Sequence, residues 1–260
     1  MATYRVFSDD FESYSLGTMP ETKWSAEGSR AMPQVVDSAA DEVTGPHGGT
    51  KMARLNTTTN SQPNDYENMI VDVSPLYTNE FFIRLYMRLD ENMDLSTGTS
   101  GLHCLRFFQN PPYMEFLHSN GSPGNWIIDV YVDGTQIDNE FISIPSSASW
   151  HKFERYVNMT TGAIKEWVDD VLEINGTVTD WGGQRYNTFY TMSNHSSPVN
   201  DTNYMYIDDF EIFSDLQTGD EEATTGSMSD ASIEVAEGGG SAIGERIISF
   251  GGARRRVRLT

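Results

Sequence analysis

One tetrapeptide, Asp-Asp-Phe-Glu, occurs twice in this chain, at residues 9–12 and again at residues 208–211. Each copy follows a short run with strand character: Tyr-Arg-Val-Phe-Ser before the first and Tyr-Met-Tyr-Ile before the second. The repetition predicts that the two copies frame one β domain, in which a strand over 4–12 pairs with a strand over 204–213.

Alternating residue types predict β-strands along most of the chain. Residues 80–89 place five apolar side chains, Phe81, Ile83, Leu85, Met87 and Leu89, on one face, and the opposite face carries Phe82, Arg84, Tyr86 and Arg88. Residues 125–133 alternate in the same way. Further strands are predicted at 32–36, 51–56, 66–73, 102–109, 113–118, 136–144, 150–158 and 163–173, with turns at 110–112, 120–124, 133–134 and 175–176. Many short strands bounded by turns predict an all-β fold, a two-sheet antiparallel jelly-roll sandwich with an extended C-terminal tail.

Several segments resemble the concanavalin A-like (laminin-G-like) jelly-roll superfamily. The resemblance covers about residues 4–214 and rests on residues 8–13, 16–17, 24, 150–154, 162–170 and 206–212. It implies that the first and last strands are neighbours in one sheet. The superfamily includes lectins, carbohydrate-binding modules, polysaccharide lyases and glucanases, and because one fold hosts many sites, the resemblance implies the fold more than the activity.

Composition and charge divide the chain into three parts. Residues 1–216 are predicted to form the jelly-roll domain. Residues 217–242 are acidic and rich in Gly, Ser and Thr, which predicts a linker that does not fold alone. Residues 243–260 carry five arginines and one glutamate, whereas residues 215–242 carry seven acidic side chains and no basic one. This reversal of charge predicts a basic C-terminal anchoring peptide.

Net charge and hydropathy limit the possible partners and the compartment. A net charge of -21 argues against nucleic acid, since phosphate binding needs clustered Lys and Arg. No run approaches the roughly 18 apolar residues of a membrane span. The lone Cys104 excludes an internal disulfide framework, and the first residues lack the features of a signal peptide. A protein that folds in the cytoplasm and becomes part of a phage-like virion fits these observations; a cytoplasmic location is the alternative.

Aromatic and polar residues on the outer strand faces are candidates for carbohydrate binding, because sugars stack on aromatic rings and form planar hydrogen bonds with Arg and Asp side chains. The predicted set is Arg84, Tyr86, Arg88, Asp129, Tyr131 and Trp167. The alternative is that the second sheet or a neighbouring subunit covers these residues.

The repeated Asp pairs suggest a cation site. If the first and last strands are neighbours, Asp10, Glu12 and Asp209 come together, and their repulsion would be relieved by Ca²⁺, which takes oxygen ligands. Related jelly rolls hold a structural Ca²⁺ near their termini, so the resemblance implies the same ion. The alternative is that one Asp of each pair accepts hydrogen bonds from turn amides.

No catalytic residues are predicted from the sequence. The run 129–133 has Asp at both ends but lacks the two glutamates that glucanases of this superfamily use. Arg84, Tyr86, Arg88 and His103 could supply the chemistry of a jelly-roll lyase, so a polysaccharide-active enzyme stays open as an alternative.

The C-terminal peptide combines β-prone apolar residues with arginines, a composition that suits docking by strand addition. Its predicted partner-binding residues are Ile247, Ile248, Phe250, Arg254, Arg255, Arg256 and Arg258. The function predicted from the sequence is therefore a non-catalytic decoration or appendage protein of a phage-like particle with carbohydrate-binding capacity. Its expected partners are other virion proteins, copies of itself and surface glycans. A free lectin-like module is a further alternative.

Overall fold

The computed structural model of the chain describes residues 3–20, 22–28, 33–39, 45–56, 67–72, 80–89, 102–108, 113–119, 125–132, 135–143, 149–178, 188–195, 204–215, 222–235, 245–250 and 253–258. The strands in chain order are β1 (Tyr4–Asp9), β2 (Ser25–Gly28), β3 (Gln34–Asp37), β4 (Lys51–Asn56), β5 (Glu67–Asp72), β6 (Glu80–Leu89), β7 (Leu102–Phe108), β8 (Tyr113–Ser119), β9 (Asn125–Val132), β10 (Thr135–Ser143), β11 (His151–Asn158), β12 (Ala163–Val168), β13 (Val171–Thr177), β14 (Thr188–His195), β15 (Tyr204–Ser214), β16 (Glu222–Thr225), β17 (Glu234–Val235), β18 (Glu245–Phe250) and β19 (Ala253–Arg258). A 3-10 turn spans Met228–Asp230.

Two antiparallel sheets form a sandwich, which confirms the predicted fold class. In the described part of the chain, the first sheet has the strand order β13-β12-β11-β6-β15-β1-β16-β17, and the β3–β4 pair joins it through β15. The second sheet has the order β10-β9-β8-β7-β14-β5-β2. Strands β18 and β19 pair with each other as a separate hairpin.

The core lies between the two sheets, as the alternation of residue types predicts. Ile83, Leu85 and Met87 of β6 pack in it with Met69 and Phe189 of the second sheet. The predicted pairing of the two ends of the domain is also confirmed, because β1 pairs with β15 from Tyr4↔Ser214 to Asp9↔Phe210.

Two shorter strands, β4 and β1, pair one after the other with the same edge of β15. Over Tyr204–Ile207 it pairs with β4, and over Phe210–Ser214 it pairs with β1. Asp208 and Asp209 lie between these two ladders, where the register with β6 also shifts and Asp209 has a φ of 47°. The gap opposite these two residues is the place where β1 ends and β4 begins.

Residues 222–235, here called the strap, lie within the predicted linker and pack against the first sheet. Strand β16 pairs with the free edge of β1, and β17 pairs with β16. Met228 and Ile233 are then buried against aromatic side chains of the first sheet, Phe82, Tyr156, Trp167 and Phe213. Part of the predicted linker therefore packs on the domain, because two apolar side chains dock a segment whose composition is otherwise polar. The boundaries of the three predicted parts remain predictions.

Three predicted elements differ from the structure by more than one or two terminal residues. Strand β1 ends at Asp9 and not at residue 12, because the Asp9 carboxylate accepts the Phe11 amide and turns the chain. The strand predicted over 163–173 is a hairpin, with Asp169 and Asp170 at φ 49° and 68°; positive φ at both central residues is typical of the tight turns that join hairpin strands. The turn predicted at 175–176 lies inside β13, where these residues pair with β12.

Candidate binding cleft

An open cleft of about 480 Å³ lies on the outer face of the first sheet, beside the gap opposite Asp208 and Asp209. Its walls come from β1, β6, β15 and the loops that precede β4 and follow β1. The lining residues are Arg5, Ser8, Asp9, Asp10, Lys23, His47, Arg84, Tyr86, Asp209, Phe210 and Glu211. Most of these side chains are polar, so the cleft suits a ligand rich in hydrogen-bonding groups.

The first copy of the tetrapeptide holds one end of the loop at residues 45–50. The Glu12 carboxylate accepts hydrogen bonds from the Thr50 amide, the Thr50 hydroxyl (2.7 Å) and the Lys51 amide (2.7 Å). Burial acts to raise the pKa of Glu12, but these hydrogen bonds outweigh it and hold the pKa below its usual range. A side chain at Gly49, which has a φ of 57°, would collide with this carboxylate.

The second copy holds the middle of the same loop. Asp208 is fully buried, and its carboxylate accepts the Gly48 amide (3.1 Å) and the Asp209 amide (2.9 Å). Burial, together with the neighbouring Asp209 carboxylate, raises the pKa of Asp208 to about 7, even though the backbone amides favour its charged form. Asp209 pairs with Nδ1 of His47 at 2.7 Å. The two copies thus fix one loop from both sides.

His47 and Tyr86 form an aromatic pair in the cleft. Their ring centroids are 3.4 Å apart and their planes differ by 14°. Tyr86 projects from β6, whereas His47 comes from the loop that the carboxylates hold. Because Asp209 fixes the imidazole through Nδ1, the position of this pair depends on the second copy of the tetrapeptide.

A row of alternating charges crosses the outer face next to the cleft. Arg5 of β1 bonds to Glu211 of β15 (2.9 Å) and to Glu222 of the strap. Arg84 of β6 bonds to Glu154 of β11 (2.7 Å) and lies 3.5 Å from Glu211. Strand register explains the row, since Arg84 lies directly opposite both Glu211 and Glu154. Each arginine in the cleft therefore shares its charge with two carboxylates.

Only some of the residues predicted to bind carbohydrate line the cleft in the described part of the chain. Arg84 and Tyr86 line the cleft together. Arg88 is only 1% exposed, and its guanidinium lies over the rings of Trp150 (5.4 Å) and Tyr206 (4.4 Å). Trp167 is buried under the strap. The prediction that Arg88 and Trp167 are accessible is therefore corrected, because other parts of the chain cover these two side chains. The side chains of Asp129 and Tyr131 lie outside the described residues.

The residues predicted to bind Ca²⁺ lie around the cleft but are engaged differently. Asp10 and Asp209 line it, whereas Glu12 bonds to the loop. The described side chains include no group of three or more His, Cys, Asp or Glu residues arranged to hold a metal ion. One Asp of each pair, Asp9 and Asp208, accepts hydrogen bonds from turn and loop amides, as the alternative interpretation predicts. Calcium binding remains a prediction.

Sequence reasoning missed His47, Arg5 and Lys23. His47 lies in a Gly-rich loop without periodicity, and its partner Asp209 is 162 positions away. The one available signal was the run Gly-Pro-His-Gly-Gly, in which a single ring is surrounded by residues that suit a tight loop. Of the residues considered for lyase chemistry, Arg84 and Tyr86 share the cleft, Arg88 is buried elsewhere, and His103 lies on β7 of the other sheet.

Comparison with known proteins shows a likeness of fold. No protein-family profile matches the chain, and no curated protein matches its sequence. The binding domain of botulinum neurotoxin serotype D is similar, with a TM-score of 0.56 and 12% identity over 88% of this chain and 50% of that one. The receptor binding domain of the mosaic serotype C/D toxin also has a TM-score of 0.56, with 13% identity over 88% of this chain and 49% of that one.

These similarities place the chain in the structural class of β-sandwich domains to which those binding domains belong. The chain spans about two fifths to one half of the length of the solved chains that it matches. At identities this low the likeness concerns the fold alone. Within the described residues, no helix has the length and hydropathy needed to cross a bilayer.

Proposed function

We propose that this protein is a non-catalytic β-sandwich that binds carbohydrate in the cleft beside β1 and β15. The observation that carries the proposal is the His47–Tyr86 pair set among Arg84, Asp10 and Asp209 in an open, polar cleft of about 480 Å³. Aromatic groups that are flanked by donors and acceptors match the alternating apolar and hydroxyl surfaces of a sugar ring. The receptor-binding domains of similar fold agree with a binding role.

The cleft is tested by glycan-array binding and titration calorimetry with the intact protein and a Tyr86→Ala variant. We expect the variant to bind its glycan about tenfold more weakly, equivalent to roughly 1.4 kcal/mol. It should keep its fold, since Ile83, Leu85 and Met87 on the inner face of β6 are untouched.

A matched control is Leu172→Ala, which removes a side chain that is 45% exposed on β13 and does not line the cleft. It should bind like the unaltered protein. Equal loss of binding in both variants, or the absence of any glycan ligand for the intact protein, would contradict the proposed site.

The same proposal assigns the protein to a phage-like particle, as a decoration or appendage subunit that is made in the host cytoplasm. Its support is the charge reversal at the end of the chain, where a basic segment follows an acidic one. Within the basic segment, β18 and β19 pair as a hairpin, which is the proposed docking unit. Acidic surfaces of other copies of this chain, or of other particle proteins, are its proposed partners.

A further inference from the structure

The charges around the cleft bear on which glycans it can accept. Three cations line it, Arg5, Lys23 and Arg84, together with four carboxylates. An anionic sugar, such as a uronic or sialic acid, needs a cation whose charge is not already matched by the protein. The bonding of each cation decides whether the cleft offers one.

Both arginines are already paired with carboxylates of this chain. Arg5 is bonded to Glu211 and Glu222, and Arg84 is bonded to Glu154 and lies near Glu211. The side chains of Arg5 and Arg84 are only 25% and 18% exposed. An incoming anion would compete with these carboxylates and lie close to them, and such like-charge contacts are costly.

Lys23 also bonds to groups of its own chain. Its ammonium donates to the Ser8 carbonyl at 2.5 Å and lies 4.0 Å from the buried Asp9 carboxylate. It can still donate to a hydroxyl, but its charge faces a carboxylate of its own chain.

Two carboxylates remain directed to the open side of the cleft. Asp10 is exposed. Within the described residues, its carboxylate accepts one hydrogen bond, from the Glu12 amide at 3.2 Å. Asp209 is partly exposed and pairs with His47. Carboxylate oxygens accept hydrogen bonds from sugar hydroxyls and repel sugar carboxylates.

From this arrangement we infer that the cleft selects uncharged glycans and rejects acidic ones, with Asp10 as the residue that sets this preference. The inference rests on the proposed carbohydrate-binding function and adds the ligand class to it. The preference is electrostatic, so it weakens as salt screens the exposed Asp10.

The experiment measures the affinity of the full-length protein for neutral and acidic glycans of matched size at low and high salt. Suitable pairs are lactose and sialyllactose, cello-oligosaccharide and oligogalacturonate, and chito-oligosaccharide and hyaluronan oligosaccharide. We expect the neutral member to bind more tightly. Asp10→Lys should reduce or invert the preference, with a gain on the order of tenfold for the acidic member.

A matched control, Glu234→Lys, makes the same change of charge at an exposed position on β17 that does not line the cleft. It should leave the preference unchanged. Tighter binding of the acidic members by the unaltered protein, or an equal effect of both substitutions, would overturn the inference while leaving carbohydrate binding intact. If no glycan of either class binds, the proposed function and the inference fail together.

Discussion

Asp9 and Asp10 are adjacent in the chain, yet the structure gives them opposite roles. Asp9 is buried, and its carboxylate accepts the Phe11 amide (3.0 Å), the Tyr14 hydroxyl (2.8 Å) and the Trp24 indole N–H (2.8 Å). Asp10 faces solvent at the cleft. The two residues are chemically identical, yet Asp9 is structural and Asp10 is exposed, and only their three-dimensional surroundings distinguish them.

The difference predicts how alanine substitutions affect stability. Asp9→Ala removes an acceptor from three donors, two of which belong to core side chains, and should cost roughly 3 kcal/mol or more of unfolding free energy. Asp10→Ala, its matched control, should change the free energy of unfolding by less than about 0.5 kcal/mol. Chemical denaturation of both variants measures these values. Similar losses at the two positions would show that the hydrogen bonds to Asp9 do not stabilise the folded protein.

Asp208 predicts a pH dependence of stability. Its pKa is raised from 3.8 to about 7 in the folded protein, so its contribution to stability is fully present below about pH 4 and is lost as the pH rises to about 7. In that interval the unfolded chain releases a proton that the folded chain retains. The Asp208→Asn variant lacks this loss, so its stability relative to the unaltered protein should increase with pH, by roughly 1.4 kcal/mol per pH unit at most.

Urea unfolding between pH 4 and pH 8 tests this dependence, in chelator so that any bound Ca²⁺ is removed. Asp230→Asn, at a side chain that is 67% exposed, is the control and should run parallel to the unaltered protein. Curves for Asp208→Asn that also run parallel would show that Asp208 is ionised throughout.

At the scale of elements, alternation along β6 predicted its inner face but could not show what covers its outer face. Four side chains of β6 project outward, and each contacts a different part of the chain. Phe82 packs under the strap and Arg84 belongs to the row of charges. Tyr86 stacks on His47, and Arg88 lies over the ring of Trp150. Every one of these partners is distant in sequence. Local pattern specifies which side of a strand a residue occupies, whereas accessibility depends on segments that the pattern does not identify.

The strap gives a prediction at this scale. Ile233→Ala should cost about 2–4 kcal/mol, because Ile233 is fully buried against the aromatic side chains of the first sheet. The loss should appear first as local opening, with faster hydrogen exchange at the Thr224 amide, which bonds to the Thr3 carbonyl at 2.9 Å. Amides in β6 should exchange as before.

Glu234→Ala is the matched control for the strap, since Glu234 is the exposed neighbour of Ile233. It should leave exchange at Thr224 unchanged. Unaltered protection of Thr224 in the Ile233→Ala variant would mean that the short β1–β16 ladder holds the strap without the buried side chain.

For the whole molecule, the sequence predicted the β-sandwich and the pairing of its first and last strands. The pairing was predictable because the repeated tetrapeptide lies at both ends of the domain sequence. It did not predict the cleft as a unit. The cleft depends on a gap between two ladders on β15 and on a loop held by carboxylates from both copies, and neither feature has a local signature. Arg84 and Tyr86 were identified because they lie on a regular strand.

Deletion of residues 243–260 tests the proposed role of the end of the chain. We expect a folded protein with unchanged glycan affinity that no longer incorporates into particles or oligomers, as measured by sedimentation of mixtures with its assembly partners. Replacing Arg254, Arg255, Arg256 and Arg258 with Ser is a finer variant that should give the same result if charge is the basis of docking. Assembly that is equal to that of the full chain would contradict the anchoring role.

The pairing of β1 with β15 has a consequence for how the protein is made. Strand β1 leaves the ribosome about two hundred residues before β15, so during synthesis β1 remains without its pairing partner. Contacts of such large sequence separation slow folding, since a long stretch of chain must be ordered before they form. The cleft needs carboxylates from both ends, so it is among the last parts of the domain to exist. A nascent or prematurely terminated chain therefore cannot form the cleft.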